Sequence, residues 1–277
     1  MFARTSGAAM RGLLVAMLVA TPSLLLPRAT DTSIEMSVLL ALLAAMLTFV
    51  EYNSHFPSFV EFRDAPPLNR IRYFALFATV VILTLVSNNT YHPTNLTMLL
   101  SNIGAGIGNG LDFPYSPVRL VVLMLPPGTS QTVVETVRIS AGVSYLIALL
   151  TVTSFLFAVR ILGWPTGNGA FNVWVNLPLF DPTTGGDVVY RLHRDGRVNI
   201  IFGVLLPFII PAVVKAAGDW GSPMMFENPQ TMIWTMSAWS FLPASMIMRG
   251  VAMTRIADLI EEKRRRAYAN AQAMQAA

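Results

Sequence analysis

The chain has 277 residues, of which 54% are hydrophobic and only 12% charged, and its mean hydropathy is +0.56. A soluble domain carries about 25% charged residues, so this composition excludes an ordinary water-soluble globule, and the high hydrophobicity also excludes a disordered chain. The lack of cysteine excludes disulfides and thiolate metal sites, and three histidines leave little for haem or zinc. We therefore expect an all-α polytopic membrane protein.

Six stretches free of charged residues and histidine are candidates for membrane helices, which need about 20 mostly apolar residues. They are residues 12–26, 36–50, 73–87, 139–159, 200–214 and 231–248, and they predict a six-span transmembrane domain over residues 1–248. The first stretch follows Arg4 and Arg11 and also resembles a signal peptide. Its cleavage would leave five spans, but bulky Leu18 does not suit a cleavage site, and we interpret the stretch as a span.

The distribution of positive charge predicts the orientation of these spans. If the N-terminus is inside, the outer segments hold only four of the 19 basic residues, namely Arg28, Arg119, Arg138 and Lys215. Because Lys and Arg near helix ends stay in the cytoplasm, both termini are predicted to be cytoplasmic. The compact spans, the short loops and the preference for Arg over Lys indicate a bacterial cytoplasmic (inner) membrane.

The first inner connector, residues 51–72, contains three prolines and is not expected to be helical throughout. It ends with Arg70 and Arg72, which we expect to meet anionic lipid headgroups or to pair with Glu61 or Asp64. The main role predicted for this connector is to fix the topology.

The outer segment, residues 88–138, is too apolar for a free linker, so its apolar stretches are expected to lie against the membrane or to fold over the helix ends. Its glycine-rich run, residues 104–110, lacks the spacing of a nucleotide-binding loop and predicts a turn or a close helix contact. The capping-box pattern from Thr132 to Glu135 predicts that the fourth long helix begins near Thr132, outside the membrane.

The inner segment, residues 164–199, predicts a short cytoplasmic β-hairpin. Apolar residues alternate over 173–179 and again over 188–192, and residues 181–186 have the composition of a turn. The second strand leads to Arg191, Arg194 and Arg197, which we interpret as a contact for lipid or a partner, or as a solvated positive-inside loop.

Three prolines lie inside the last two predicted spans. Pro207 and Pro211 are predicted to break the fifth helix and Pro243 the sixth, which would free backbone carbonyls. Residues 249–277 are predicted to form a basic helical extension into the cytoplasm, in which four consecutive cations suit anionic lipid or an acidic partner: Lys263, Arg264, Arg265 and Arg266.

No Asp, Glu, Lys, Arg or His lies within the six span cores, so a pathway that needs an ionisable side chain at membrane depth is not expected. The leading hypothesis is a non-enzymatic accessory, assembly or scaffold subunit of a larger membrane complex, with no cofactor. Its expected partners are anionic headgroups and other membrane subunits, not nucleic acid. The alternatives are a small-solute channel using the proline-broken helices, and a membrane enzyme with its site in the outer segment, residues 88–138.

Overall fold

The computed structural model describes residues 2–27, 31–165, 172–181, 185–217 and 226–276. All the longer regular elements in these residues are α-helices, as the composition predicts. They are α1 (Phe2–Leu25), α2 (Asp31–Asn53), α3 (Leu68–Asn88), α4 (Asn95–Leu111), α5 (Pro117–Met124), α6 (Gln131–Arg160), α7 (Val173–Asn176), α8 (Val188–Ala216) and α9 (Pro229–Ala276).

Five of these helices are long and apolar enough to cross a membrane: α1, α2, α3, α6 and α8. They contain the first five predicted spans. Only 11% of the most apolar window of α2, and 17% of that of α8, is buried within the protein. Such long apolar surfaces require a lipid-like environment, because water would oppose their exposure. The chain is therefore a multi-pass membrane protein.

The sixth predicted span lies within α9, which is less apolar than the other long helices. Its first half contains Ser237 and Ser240, which are 0% and 3% exposed, next to the buried Met236 and Trp239. This half of α9 packs against α8 and α6 near the centre of the bundle. A helix surrounded by other helices can keep small polar residues, since they do not face lipid.

The helices α1 and α2 form a hairpin at the side of the bundle. They approach closely at Gly12, where a Cβ atom would lie 2.8 Å from the Ala45 carbonyl oxygen. Tyr73 of α3 donates a hydrogen bond to the Leu14 carbonyl oxygen at 2.8 Å. At the other end of the hairpin, Ser23 donates to Ser37 at 2.6 Å. These polar contacts fix the apolar hairpin in place.

The outer segment folds onto the bundle through a glycine contact between α4 and α6. A Cβ atom on Gly142 would lie 2.6 Å from the Gly108 Cα atom, and one on Gly104 would lie 2.9 Å from Ile139. Small residues spaced four apart allow two helices to approach closely. Of the two interpretations of the glycine-rich run, the close helix contact is thus confirmed. The predicted start of α6 is confirmed to within one residue, although its cap is Ser130.

The predicted β-hairpin is wrong in the residues that the structure describes, while residues 182–184 of its turn lie outside them. Residues 173–176 form α7, and Val188 begins α8. The buried positions Val189, Leu192 and Gly196 of α8 recur every three to four residues, which is a helical period. The local alternation reflected the first turn of a helix that begins well before the predicted span.

The prolines do not end their helices: α8 continues through Pro207 and Pro211, and α9 continues through Pro243. A proline at position 211 removes the N–H group that would bond to the carbonyl of residue 207. The indole of Trp239 in α9 donates to the Pro207 carbonyl oxygen instead, at 3.2 Å. The predicted helix breaks at the three prolines are thus wrong, and at Pro211 a neighbouring helix supplies the lost donor.

Candidate functional site: the arginine-rich end of the bundle

The segments predicted to lie on the cytoplasmic side meet at one end of the bundle, which we call the arginine-rich end. It joins the connector between α2 and α3, the end of α6 with Trp164, residues 177–180, the start of α8 and residues 248–260 of α9 around one apolar cluster. Trp164 donates to the Ala65 carbonyl oxygen at 3.2 Å, and Arg255 donates to the Trp164 carbonyl oxygen at 3.2 Å. The meeting of these segments at one end agrees with spans that cross the membrane in alternating directions.

An ion pair between Glu61 and Arg249 connects this connector to α9. Arg249 Nε and Nη2 donate to the two carboxylate oxygens of Glu61 at 2.5 and 2.8 Å, and the Glu61 side chain is 8% exposed. A bidentate pair of this kind fixes the relative orientation of the two side chains in addition to its electrostatic attraction. The pairing expected between Glu61 and the arginines at the start of α3 is replaced by this contact with a residue 188 positions away.

The connector itself is organised by Glu51, the buried carboxylate near the end of α2. Its side chain accepts hydrogen bonds from the N–H groups of Ser58, Phe59 and Val60 at 2.6, 2.8 and 2.9 Å. The Ser58 hydroxyl donates to the other oxygen at 2.8 Å. These four bonds fold the connector back over the end of α2 and occupy a carboxylate that would otherwise be a candidate for acid–base chemistry.

Arginine side chains satisfy the carbonyls at the end of α2. Arg63 donates to the carbonyl oxygens of Glu51 and Ser54, both at 2.9 Å. Arg4, from the first turns of α1, donates to the Asn53 carbonyl oxygen and lies 3.2 Å from His55 Nδ1. The last carbonyls of a helix have no partner within it, so these cations complete the helix end.

Between α1 and the connector lies a cleft with a volume of about 370 Å³. It is lined by Arg4, Arg11, Tyr52, Arg63 and Asp64. The Arg11 guanidinium stands over the Tyr52 ring at 4.7 Å from its centroid. Three arginines against one aspartate make the cleft a positively charged site, which the sequence analysis did not identify.

The two basic segments predicted as contact sites come together beside this end. Arg264 of α9 pairs with Asp187 at 2.7 Å, just before α8 begins. Six residues away along each helix, His193 lies 3.6 Å from Asp258. The Arg264 hydrogen bond lowers the pKa of Asp187 below that of an ordinary aspartate. Of the predicted basic residues, Arg264 thus lies at a contact between α9 and the start of α8.

The predicted cations differ in how firmly they are held. Arg191 donates to the Asp181 carbonyl oxygen at 2.9 Å and stands over Phe180, while Arg194 pairs with its neighbour Asp195 at 3.0 Å. Arg197 is exposed on α8. In the basic run, Arg266 pairs with Glu262, and the exposed Lys263 and Arg265 extend into solvent.

At the opposite end, a single aspartate holds the outer segment together. Asp112 lies 2.9 Å from Arg119 and 2.8 Å from Arg138, and its side chain is 7% exposed. This carboxylate lies in the outer segment, where an enzyme site was the alternative hypothesis, and it is occupied by two arginines. Among the described residues, no three His, Cys, Asp or Glu side chains are grouped so that they could hold a metal ion.

Comparisons with protein-family models, curated proteins and solved structures find no match to this chain.

Proposed function

We propose that this protein is a non-enzymatic accessory, assembly or scaffold subunit of a larger complex in a bacterial cytoplasmic membrane. The observation that carries the proposal is the length of α9, which spans 48 residues as one helix. At 1.5 Å per residue this is about 72 Å, more than twice the thickness of the hydrocarbon core. A helix of this length reaches well beyond the membrane.

The last part of α9, residues 261–276, extends beyond the packed bundle, and we call it the helical tail. Ile256 is 2% exposed and Ile260 still packs against the apolar cluster, whereas nearly all side chains that follow are exposed. The helical tail projects about 24 Å, since it has about four turns. It presents the basic run to an acidic partner or to anionic headgroups.

The polar groups of the helix ends support a structural role. Glu51, Glu61 and Asp112 are each occupied by hydrogen bonds or arginine partners within the chain. The Pro207 carbonyl, which a channel could have used, already accepts a hydrogen bond from Trp239. These contacts favour the scaffold over the channel and over an enzyme with its site in the outer segment.

We further propose six spans with both termini in the cytoplasm, the sixth being residues 231–248 of α9. The burial of this part of α9 among α6 and α8 supports it, as does the meeting of the basic inner segments at one end. Because the chain has no cysteine, single cysteines can be labelled directly. Cysteine at Arg194 and Arg265 should react from the cytoplasmic side, and cysteine at Glu135 from the other side. Labelling of Arg194→Cys and Arg265→Cys from opposite sides would refute this topology.

The scaffold proposal is tested by site-specific photocrosslinking in native membranes. A photoreactive residue at Arg265 should give one discrete crosslinked species, and the same probe at Leu43, on the exposed face of α2, serves as the matched control for lipid-level collisions. With the probe kept at position 265, replacing Lys263, Arg264 and Arg266 by glutamine should abolish this species. A full-length chain that yields only uncrosslinked monomer at Arg265, at wild-type abundance, would contradict the proposal.

A further inference from the structure

We propose that the cleft between α1 and the connector binds the phosphate of an anionic membrane phospholipid. This inference goes beyond the scaffold role, because the cleft is separate from the helical tail. Three arginines line it and one aspartate, Asp64, offsets their charge. The Asp64 side chain is 59% exposed and lies 3.4 Å from Arg63, so its charge is largely screened by water. The cleft therefore has a net positive charge.

Arg11 is the residue best able to bind a ligand there. Among the described residues, it donates one hydrogen bond, to the Gly7 carbonyl oxygen of its own helix at 2.8 Å. A guanidinium has five N–H donors in a planar fork, so Arg11 retains donors that match two oxygens of one phosphate. The Tyr52 ring beneath it keeps this group in the cleft.

Positive charge continues behind Tyr52. The guanidinium groups of Arg11, Arg63 and Arg72 all act electrostatically on the Tyr52 hydroxyl. Arg72 Nε is buried and has no hydrogen-bond partner among the described residues. Buried donors without a partner are uncommon in native proteins. Arg72 does not line the cleft and Glu61 offsets part of its charge, so it can attract an anion in the cleft only from behind Tyr52.

The position of the cleft favours a lipid over a soluble phosphate. Arg4 begins and Asn53 ends the two apolar helices that form the side hairpin, so the cleft lies where a membrane helix meets the headgroups. Next to Arg11 in the sequence, Met10, Leu13 and Met17 are exposed at helical spacing along α1. Their apolar face gives the acyl chains of the bound lipid a path into the membrane. Basic pockets beside membrane helices are suited to such headgroups.

The test uses the full chain purified in a neutral detergent, with phosphatidylglycerol and phosphatidylcholine added separately. Retained lipid is counted by native mass spectrometry, and affinity is measured by titration. We expect phosphatidylglycerol to bind preferentially and Arg11→Gln to weaken it about fivefold, the effect of one arginine at a charged surface. The matched control is Arg160→Gln, which removes the same charge from the exposed end of α6, at the same end of the bundle but outside the cleft, and it should leave binding unchanged.

Arg11→Lys keeps the charge but loses the fork, and intermediate binding is expected. If Arg11→Gln is poorly folded, Arg11→Lys and competition by inorganic phosphate test whether the cleft binds the lipid phosphate. Equal loss in the Arg11 and Arg160 variants would show attraction by surface charge alone and overturn the proposal. Unchanged binding in both would do so too. Inorganic phosphate or glycerol 3-phosphate that binds as tightly as the lipid would identify a soluble ligand and overturn the assignment to the membrane.

Discussion

The contact between α4 and α6 allows a quantitative test of how the outer segment is held. Gly142→Ala places a Cβ atom 2.6 Å from the Gly108 Cα atom and 3.0 Å from its nitrogen. Carbon atoms at rest lie about 3.5 to 4.0 Å apart, so the two helices must separate by roughly 1 Å. Both obstructing atoms belong to the backbone and cannot rotate away. Overpacking of this kind costs about 1 to 3 kcal/mol.

Gly106→Ala is the matched control, because a Cβ atom there has nothing within 4 Å. Both changes gain about 0.5 to 1 kcal/mol of helix propensity, so the difference in the free energy of unfolding between the two variants isolates the steric cost. The assay is unfolding in mixed micelles, followed by circular dichroism. We expect Gly142→Ala to be less stable than Gly106→Ala by about 1 to 3 kcal/mol. Equal stability would refute the close contact.

Three further predictions concern contacts between distant parts of the chain. Trp239→Phe should lower the free energy of unfolding by about 1 to 3 kcal/mol. The loss should be smaller in a Pro211→Ala background, because the backbone N–H of residue 211 then replaces the indole as the donor. A double-mutant cycle that shows no coupling between the two changes would contradict this. Glu61→Gln should cost about 3 kcal/mol because Arg249 loses its partner, whereas equal melting temperatures for variant and wild type would refute it. Since the pKa of Asp187 is lowered in the folded state, its contact with α9 should persist above that pKa and be lost as the pH falls through it. Spin-label distances between α8 and α9 should then lengthen in acid, and Asp187→Asn should remove the pH dependence.

Long features of the sequence predicted the structure best. Five apolar stretches, each with many residues contributing to one signal, became helices that can cross a membrane. The start of α6 was predicted to within one residue, but from the wrong motif, because Ser130 caps the helix and not the capping box from Thr132 to Glu135. The failures were local: the alternation near Val188 covered too few residues to distinguish a strand from the first turns of a helix.

The candidate sites could be predicted only in part. The basic run and the arginines of α8 were visible in the sequence, because charge is a property of each residue. The cleft was not, since it joins Arg11 to Arg63 from segments whose approach depends on the hairpin of α1 and α2. The pair between Glu61 and Arg249 spans 188 positions, and nothing local specifies which of the many arginines the carboxylate meets.

The continuity of α9 has a mechanical consequence. Its buried half is held in register by glycine contacts with α8, where a Cβ atom on Gly250 would lie 2.5 Å from the Gly196 carbonyl oxygen. Anything attached to the far end inherits that angular setting, because no hinge intervenes along the described helix. One residue inserted near Glu261 would turn the attached end by about 100° and advance it by about 1.5 Å. The angular position of the helical tail around its axis, and not only its length, then decides which neighbouring protein it can contact.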